Sequence, residues 1–193
     1  MKTNLFFIFF SGLVLNNIIL MQGLLPTSFL GMSAKTKRAV NLGIVAIVLM
    51  LLVTILTWLL YHFVLVSLHL EFLVLISSVI IIILLTQFLG GEIIKQFLGK
   101  WRSELPLFTL NCALLAVPLL NLQHQYNLGE SIVHTLGISF GYWGALVLTA
   151  TLRQRLNLSP VAKMLQGYPI VLITLGILSL VFSSIAQMLK MVW

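Results

Sequence analysis

The sequence predicts an all-α integral membrane protein of six transmembrane helices, arranged as two inverted three-helix repeats whose first and fourth helices are broken. Three observations predict it. The 193 residues are 60% hydrophobic and only 8% charged, with a mean hydropathy of +1.13, whereas a soluble domain carries roughly 25% charged residues. Six apolar stretches approach the about 20 residues that a helix needs to cross the hydrocarbon. Basic residues gather in alternate loops between those stretches.

The stretches run over roughly 4–30, 40–65, 71–93, 106–122, 131–152 and 169–190. A helix is the expected form for each, because it satisfies its own backbone polar groups where no water is at hand. The first begins "MKTNLFFIFFSGLVL", a lysine and an apolar run like those of a signal peptide. No clean small-x-small cleavage site follows and the apolar pattern continues to Leu30, so it reads as a retained helix. It is interrupted by Asn16, Asn17, Gln22, Gly23 and Pro26. The second and third, "LGIVAIVLMLLVTILTWLLY" and "FLVLISSVIIIILLTQFLG", are unbroken.

The fourth stretch contains "TLNCALLAVPLLN", which brings Asn111, Cys112, Pro118 and Asn121 together in an apolar setting. The fifth carries Gly137, Gly141 and Gly144, a small-residue spacing that fits close helix packing within the chain or against a partner. Trp58, Tyr61, Trp101 and Trp193 fall near the ends of stretches and read as interfacial anchors. The segment "KQFLGKWRSELP" (95–106) is basic and amphipathic, suited to the membrane surface or to docking of a soluble subunit.

Orientation follows from the loops. Lys35, Lys37 and Arg38 lie in the first loop, Lys95, Lys100 and Arg102 in the third, and Arg153, Arg155 and Lys163 in the fifth. The alternate loops hold Glu71 and Glu130, and only Lys2 and Lys190 fall on their side. The positive-inside rule then puts loops one, three and five in the cytoplasm and both termini on the outer side. The net charge of +7 is thereby topology rather than a sign of nucleic acid.

The chain is a single membrane domain, 1–193, with a repeat boundary near residue 96. Asn17 and Asn111 are separated by 94 residues, and at that offset Leu20 meets Leu114, Leu25 meets Leu119, and "NLG" at 41–43 meets "TLG" at 135–137. Three helices per half make the halves, 1–96 and 97–193, inverted relative to one another. Such repeats form their site near the midplane, where broken helices offer backbone groups.

An amide in hydrocarbon costs a few kcal/mol without partners. Asn16, Asn17 and Asn111 are thus expected to face protein, either binding carbonyls released at the breaks around Pro26 and Pro118 or gluing helices together. Cys112 is the sole cysteine, so it forms no internal disulfide; it is a small buried hydrophobe, a lone ligand or a reactive thiol. A metal cluster needs four ligands, and the others would come from another subunit. His62, His69, His124 and His134 lie at or near outward loops without a metal-ligand spacing, and Glu92 near Lys95 reads as structural, with an ion role conceivable. No nucleotide-binding glycine motif, Walker loop or nucleophile constellation is present, so the chain itself is expected to bind no nucleotide cofactor such as flavin or NAD.

"LVLNNIILMQGLLPTSFLGMSAKTKRAVNLG", "LPLFTLNCALLAVPLLN", "GISFGYWGALVLTATLRQRL" and "YPIVLITLGILSLVF" together resemble the RnfA/NqrE family of membrane subunits. The specific pieces are Asn16-Asn17, Asn111-Cys112-Ala113 and Arg153-Gln154-Arg155-Leu156; "GMSAK" at 31–35 is closer to RnfA. The resemblance implies a subunit of an ion-translocating (Na⁺ or H⁺) oxidoreductase complex in a bacterial or archaeal cytoplasmic (inner) membrane. It implies pairing with a homologous RnfE/NqrD-type subunit of opposite orientation, alongside subunits carrying flavin and iron–sulfur clusters. It further implies a [2Fe–2S] cluster between the pair, held by one cysteine from each broken helix and passing electrons across the membrane. This chain departs from the family pattern at Thr27, which stands where the first cysteine is expected, just after Pro26. Three readings follow: a cluster on three thiolates completed by Thr27, water or a partner residue; a lost or altered cluster; or a sequence changed at this position. A six-helix solute transporter, a vitamin-importer substrate-binding subunit and a cluster-free structural paralogue are the alternative classes.

Overall fold

The computed structural model describes residues 5–15, 36–65, 78–81, 83–84, 112–158 and 167–192. Helix α1 spans Leu5–Phe10 and widens into a π-helical turn at Ser11–Leu15. Helix α2 spans Thr36–Leu60 and ends in a similar widening at Tyr61–Leu65. Then come α3 (Cys112–Gln123), α4 (Leu128–Leu158) and α5 (Tyr168–Val192). Residues 78–81 and 83–84, inside the third predicted stretch, are helical. Among the described residues every regular element is a helix, and three are long and apolar enough to cross a membrane: Thr36–Phe63, Leu128–Leu156 and Pro169–Met188. Most of the third stretch, and parts of the first and fourth, lie outside the described residues.

Two helix starts differ from the sequence expectation, each for a local reason, and α4 also runs on to Leu158, so that Arg153 and Arg155 are helical. Helix α2 starts at Thr36, so Lys37 and Arg38 occupy its first turn rather than a loop; both are good helix formers whose stems can lie along apolar surface while the charge reaches water. Helix α4 starts at Leu128 because Asn127 and Glu130 cap it. The Asn127 N–H donates to the Glu130 carboxylate at 3.1 Å, the reciprocal arm of a capping box. The chain turns sharply before this cap: Gln125 has φ 52°, and the Gln125 and Tyr126 N–H groups donate to the Leu122 and Asn121 carbonyls.

Helices α2 and α4 run antiparallel. Trp143 Nε1 donates to the Val40 carbonyl at 3.3 Å near one end, and Thr54 Oγ1 lies 3.1 Å from Thr135 Oγ1 near the other. Between them, Ala39, Leu42, Ala46, Leu49, Met50 and Val53 of α2 meet Ile138, Tyr142, Ala145, Leu146 and Ala150 of α4. These spacings of three and four residues make one apolar stripe on each helix. Ala113, Leu114 and Val117 of α3 and Val171 and Leu175 of α5 close the core. Antiparallel packing gathers Lys37, Arg38, Arg153 and Arg155 at one end of the pair and the 124–127 turn with Glu130 at the other.

Helix α1 crosses α4 backbone to backbone. A methyl group added at Gly12 would stand 2.7 Å from the His134 carbonyl oxygen and 3.3 Å from Gly137 Cα, and one added at Gly137 would run into the Phe9 carbonyl. The small-residue spacing read on the fifth stretch therefore serves intrachain packing at Gly137. Gly144 has nothing within 4 Å of its added methyl.

Candidate functional site

Cys112 is the first residue of α3 and is exposed. It is therefore not part of this chain's own buried core. Pro118 lies inside α3 and is buried, so the expected break does not occur there: α3 runs through the proline from Cys112 to Gln123. Proline has no N–H for the carbonyl four residues earlier, here that of Leu114, and the buried neighbours Leu114 and Val117 supply the packing that holds the helix through it. Asn16, Asn17, Pro26, Thr27, Asn111, His69 and Glu92 lie outside the described residues. Among the described residues no group of three His, Cys, Asp or Glu side chains is placed to hold a metal ion. A cluster takes four protein ligands, so Cys112 fits such a group only as one ligand of a set completed elsewhere.

The polar centre that the structure does assemble lies between α2, α3 and α4. His134, expected near a loop, is fully buried, because the early cap at Asn127 places it on the inward face in the second turn of α4. Its Nδ1 lies 2.6 Å from Asn121 Oδ1. An amide oxygen only accepts, so His134 Nδ1–H donates. Asn121 Nδ2 donates to Thr135 Oγ1 at 2.9 Å, and Thr135 in turn lies 3.1 Å from Thr54 Oγ1. Asn121, Thr54, Thr135 and His134 are all nearly or wholly buried, which makes this chain of bonds a lock between three helices. In the sequence its only sign is polar residues inside apolar stretches; which of them meet depends on helix phase and crossing.

The adjoining turn caps this centre. The rings of His124 and Tyr126 stack with centroids 5.1 Å apart, and Tyr126 lies edge-on to His134 at 5.1 Å. Burial first and the nearby Glu130 carboxylate second push the Tyr126 phenol above its ordinary pKa of 10.0, so it is neutral at physiological pH. Trp58, one of the expected interfacial anchors, donates from Nε1 to the Tyr126 carbonyl at 3.4 Å and stacks on His62. Beside it, Thr54, Thr57, Trp58, Pro118, Asn121, Leu122 and Ser131 line a small cleft. Thr57 Oγ1, in a residue only 1% exposed, has no hydrogen-bond partner among the described residues.

Comparison with known proteins agrees with the arrangement of apolar helices. Residues 5–189 match the family described as "Rnf-Nqr subunit, membrane protein". The chain is 36% identical over 187 residues to the A subunit of the Na(+)-translocating ferredoxin:NAD(+) oxidoreductase complex of Acetobacterium woodii, covering 95% of this chain and 97% of that one. It is 36% identical over 189 residues to the A subunit of the ion-translocating oxidoreductase complex of Syntrophotalea carbinolica, covering 95% and 96%. It is also 34% identical over 186 residues to the A subunit of the proton-translocating ferredoxin:NAD(+) oxidoreductase complex of Clostridium ljungdahlii, covering 95% and 96%. With the match running from α1 nearly to the end of α5, the chain belongs to the Rnf-Nqr family of membrane subunits.

Proposed function

We propose that this chain is the membrane subunit of an Rnf-type ion-translocating oxidoreductase complex, the counterpart of these relatives in their own complexes, and that it carries electrons across the membrane jointly with a homologous inverted subunit. Near full-length similarity to three proteins so named carries the reading. Family membership also speaks against the solute-transporter and vitamin-importer classes. The chain acts as a non-autonomous part of an enzyme complex, with flavin and NAD bound by other subunits in a bacterial or archaeal cytoplasmic membrane.

The inverted-repeat arrangement draws support from the helices themselves. Shifted by the 94-residue offset, 36–65 becomes 130–159, close to α4 at Leu128–Leu158. Shifted back by that offset, α5 falls at 74–98, over the helical residues 78–81 and 83–84. The gathering of four basic side chains at one end of α2 and α4 supports a cytoplasmic position for that end and outward termini.

For the iron–sulfur centre the supporting observation is Cys112: a thiol exposed at the start of a helix is available to a ligand set shared across a subunit interface. Thiolate suits iron; the Thr27 hydroxyl is a far poorer donor. When bound, the cluster would supply a one-electron relay, while this chain would fix one ligand on a packed helix. The test is iron content and the reduced EPR spectrum of the chain purified with its partner subunit. Wild-type complex is expected to contain iron, Cys112→Ser to lose it or change its spectrum, and Thr27→Cys to bind it more tightly. Iron-free wild-type complex overturns the cluster and leaves the structural paralogue.

A further inference from the structure

The start of α2 is built against the usual rule for helix ends. Lys37 and Arg38 stand in its first turn, and no acidic residue accompanies them there. A helix N-terminus already carries positive potential, so it favours anions and is unfavourable to cations. Thr36, the first residue of the helix, adds a buried hydroxyl oxygen with no hydrogen-bond partner among the described residues. Glu130, the one carboxylate among the described residues, is at the far end of the bundle. In the sequence no Asp or Glu comes before Glu71 and none after Glu130. Positive charge therefore accumulates at this terminus with an anion wanting.

The antiparallel partner adds charge from the side. Val40 and Trp143 are level with one another, joined by the indole bond. Thr36 is four residues from Val40 toward the helix start, whereas α4 runs 15 residues past Trp143 to Leu158. At 1.5 Å per residue, α4 overhangs the start of α2 by about 16 Å. Arg153 and Arg155 are on that overhang. Arg38 and Arg153 are half-buried, Lys37 and Arg155 exposed. Arg38, Arg153 and Arg155 also interact within the chain, and a guanidinium has five N–H donors to share. Depth selects the anion. Trp58, read as an anchor at the opposite interface, is 21 residues from Lys37, about 32 Å along α2 and close to the roughly 30 Å hydrocarbon. The start of α2 is thus level with lipid headgroups, where helix N–H groups and cations together suit a phosphate. An acidic soluble protein would approach from above that level, whereas Lys37 and Arg38 are within one turn or so of the buried Ala39 and Leu42.

We propose that the start of α2 and the overhanging end of α4 form a binding site for the phosphate of an anionic phospholipid, in which Lys37, Arg38, Arg153 and the Thr36 hydroxyl donate and Arg155 forms the rim. The site does not rest on the electron-transfer reading above. The test is titration of the delipidated intact complex, in neutral detergent, with phosphatidylglycerol or phosphatidylcholine, bound lipids being counted by native mass spectrometry. Wild type is expected to bind phosphatidylglycerol saturably and phosphatidylcholine weakly. Each cation near an anionic lipid is worth about fivefold in affinity. Lys37→Gln/Arg38→Gln is therefore expected to weaken binding of one phosphatidylglycerol per chain by about tenfold or more, and Arg153→Gln/Arg155→Gln likewise. Lys2→Gln/Lys190→Gln removes as much charge on the expected opposite side and is expected to keep that lipid. Where a double variant does not assemble, Lys37→Gln or Arg153→Gln alone is expected to weaken binding about fivefold. No loss in the variants of α2 and α4, or an equal loss in all three double variants, overturns the site. Displacement of the lipid by inorganic phosphate at constant ionic strength would assign the site to a soluble anion. Lipid binding that appears only after the soluble subunits are stripped would assign it to a protein partner. Either result overturns the lipid.

Discussion

At the scale of single residues, Asn121 holds the most. It joins His134 and Thr135 and so ties α3 to α4, with Thr54 carrying the chain on to α2. Asn121→Leu fills the same space but strands a buried imidazole N–H. A loss of about 1–3 kcal/mol follows, read as a lower SDS midpoint for unfolding of the purified chain in mixed micelles. Thr151→Val supplies the contrast, since Thr151 bonds only within its own exposed turn and its loss is expected to stay within about 0.5 kcal/mol. An unchanged midpoint for Asn121→Leu rejects the lock. The sequence shows why such residues must find partners, because an amide in an apolar stretch is costly. It does not show which, because Asn121 and Thr135 meet only after the Gln125 turn reverses the chain.

Helices pack according to what each glycine faces, and the three glycines with a clear outlook separate cleanly. Gly137 faces the backbone of α1 at Phe9 and Leu13, which cannot move without moving the helix. Gly43 faces the Trp143 ring, which can rotate at the cost of its bond to the Val40 carbonyl. Gly144 faces open space. Gly137→Ala is therefore expected to cost about 1–3 kcal/mol by overpacking, and Gly43→Ala less. Gly144→Ala is expected to be neutral or stabilising by up to about 1 kcal/mol through helix propensity. The order of midpoints in the same SDS titration checks it, and a Gly43 variant weaker than the Gly137 variant overturns the backbone crossing. The glycine spacing was legible in the sequence as a packing face, but only the crossing shows that Gly137 uses it within the chain. Helix existence was legible too, since length and apolarity suffice for α2, α4 and α5. The path of α3 through Pro118 was not, because a proline's cost of about 3 kcal/mol is offset by tertiary packing that a linear pattern does not display.

For the molecule as a whole, the axis of α2 and α4 sets the relation to the membrane. At 1.5 Å per residue, the 29 residues separating Gln125 from Gln154 correspond to about 44 Å, more than the roughly 30 Å hydrocarbon, so these two exposed residues are expected to emerge on opposite faces. Lys37, Arg38, Arg153 and Arg155 surround the Gln154 end, and the positive-inside rule predicts that this end faces the cytoplasm. The antiparallel packing brings together the basic residues that the sequence expectation assigned to the first and fifth loops, although Lys37, Arg38, Arg153 and Arg155 are in fact helical. Single cysteines at Gln125 and Gln154, each in a Cys112→Ser background, test it with a membrane-impermeant maleimide on intact cells. Gln125→Cys is expected to label once the outer face is reached, and Gln154→Cys only after the cytoplasmic membrane is permeabilised. Labelling in the reverse order would invert the chain, put the 124–127 turn on the cytoplasmic side and leave the basic end facing outward. Labelling of both from the same side would show that α4 does not span the membrane.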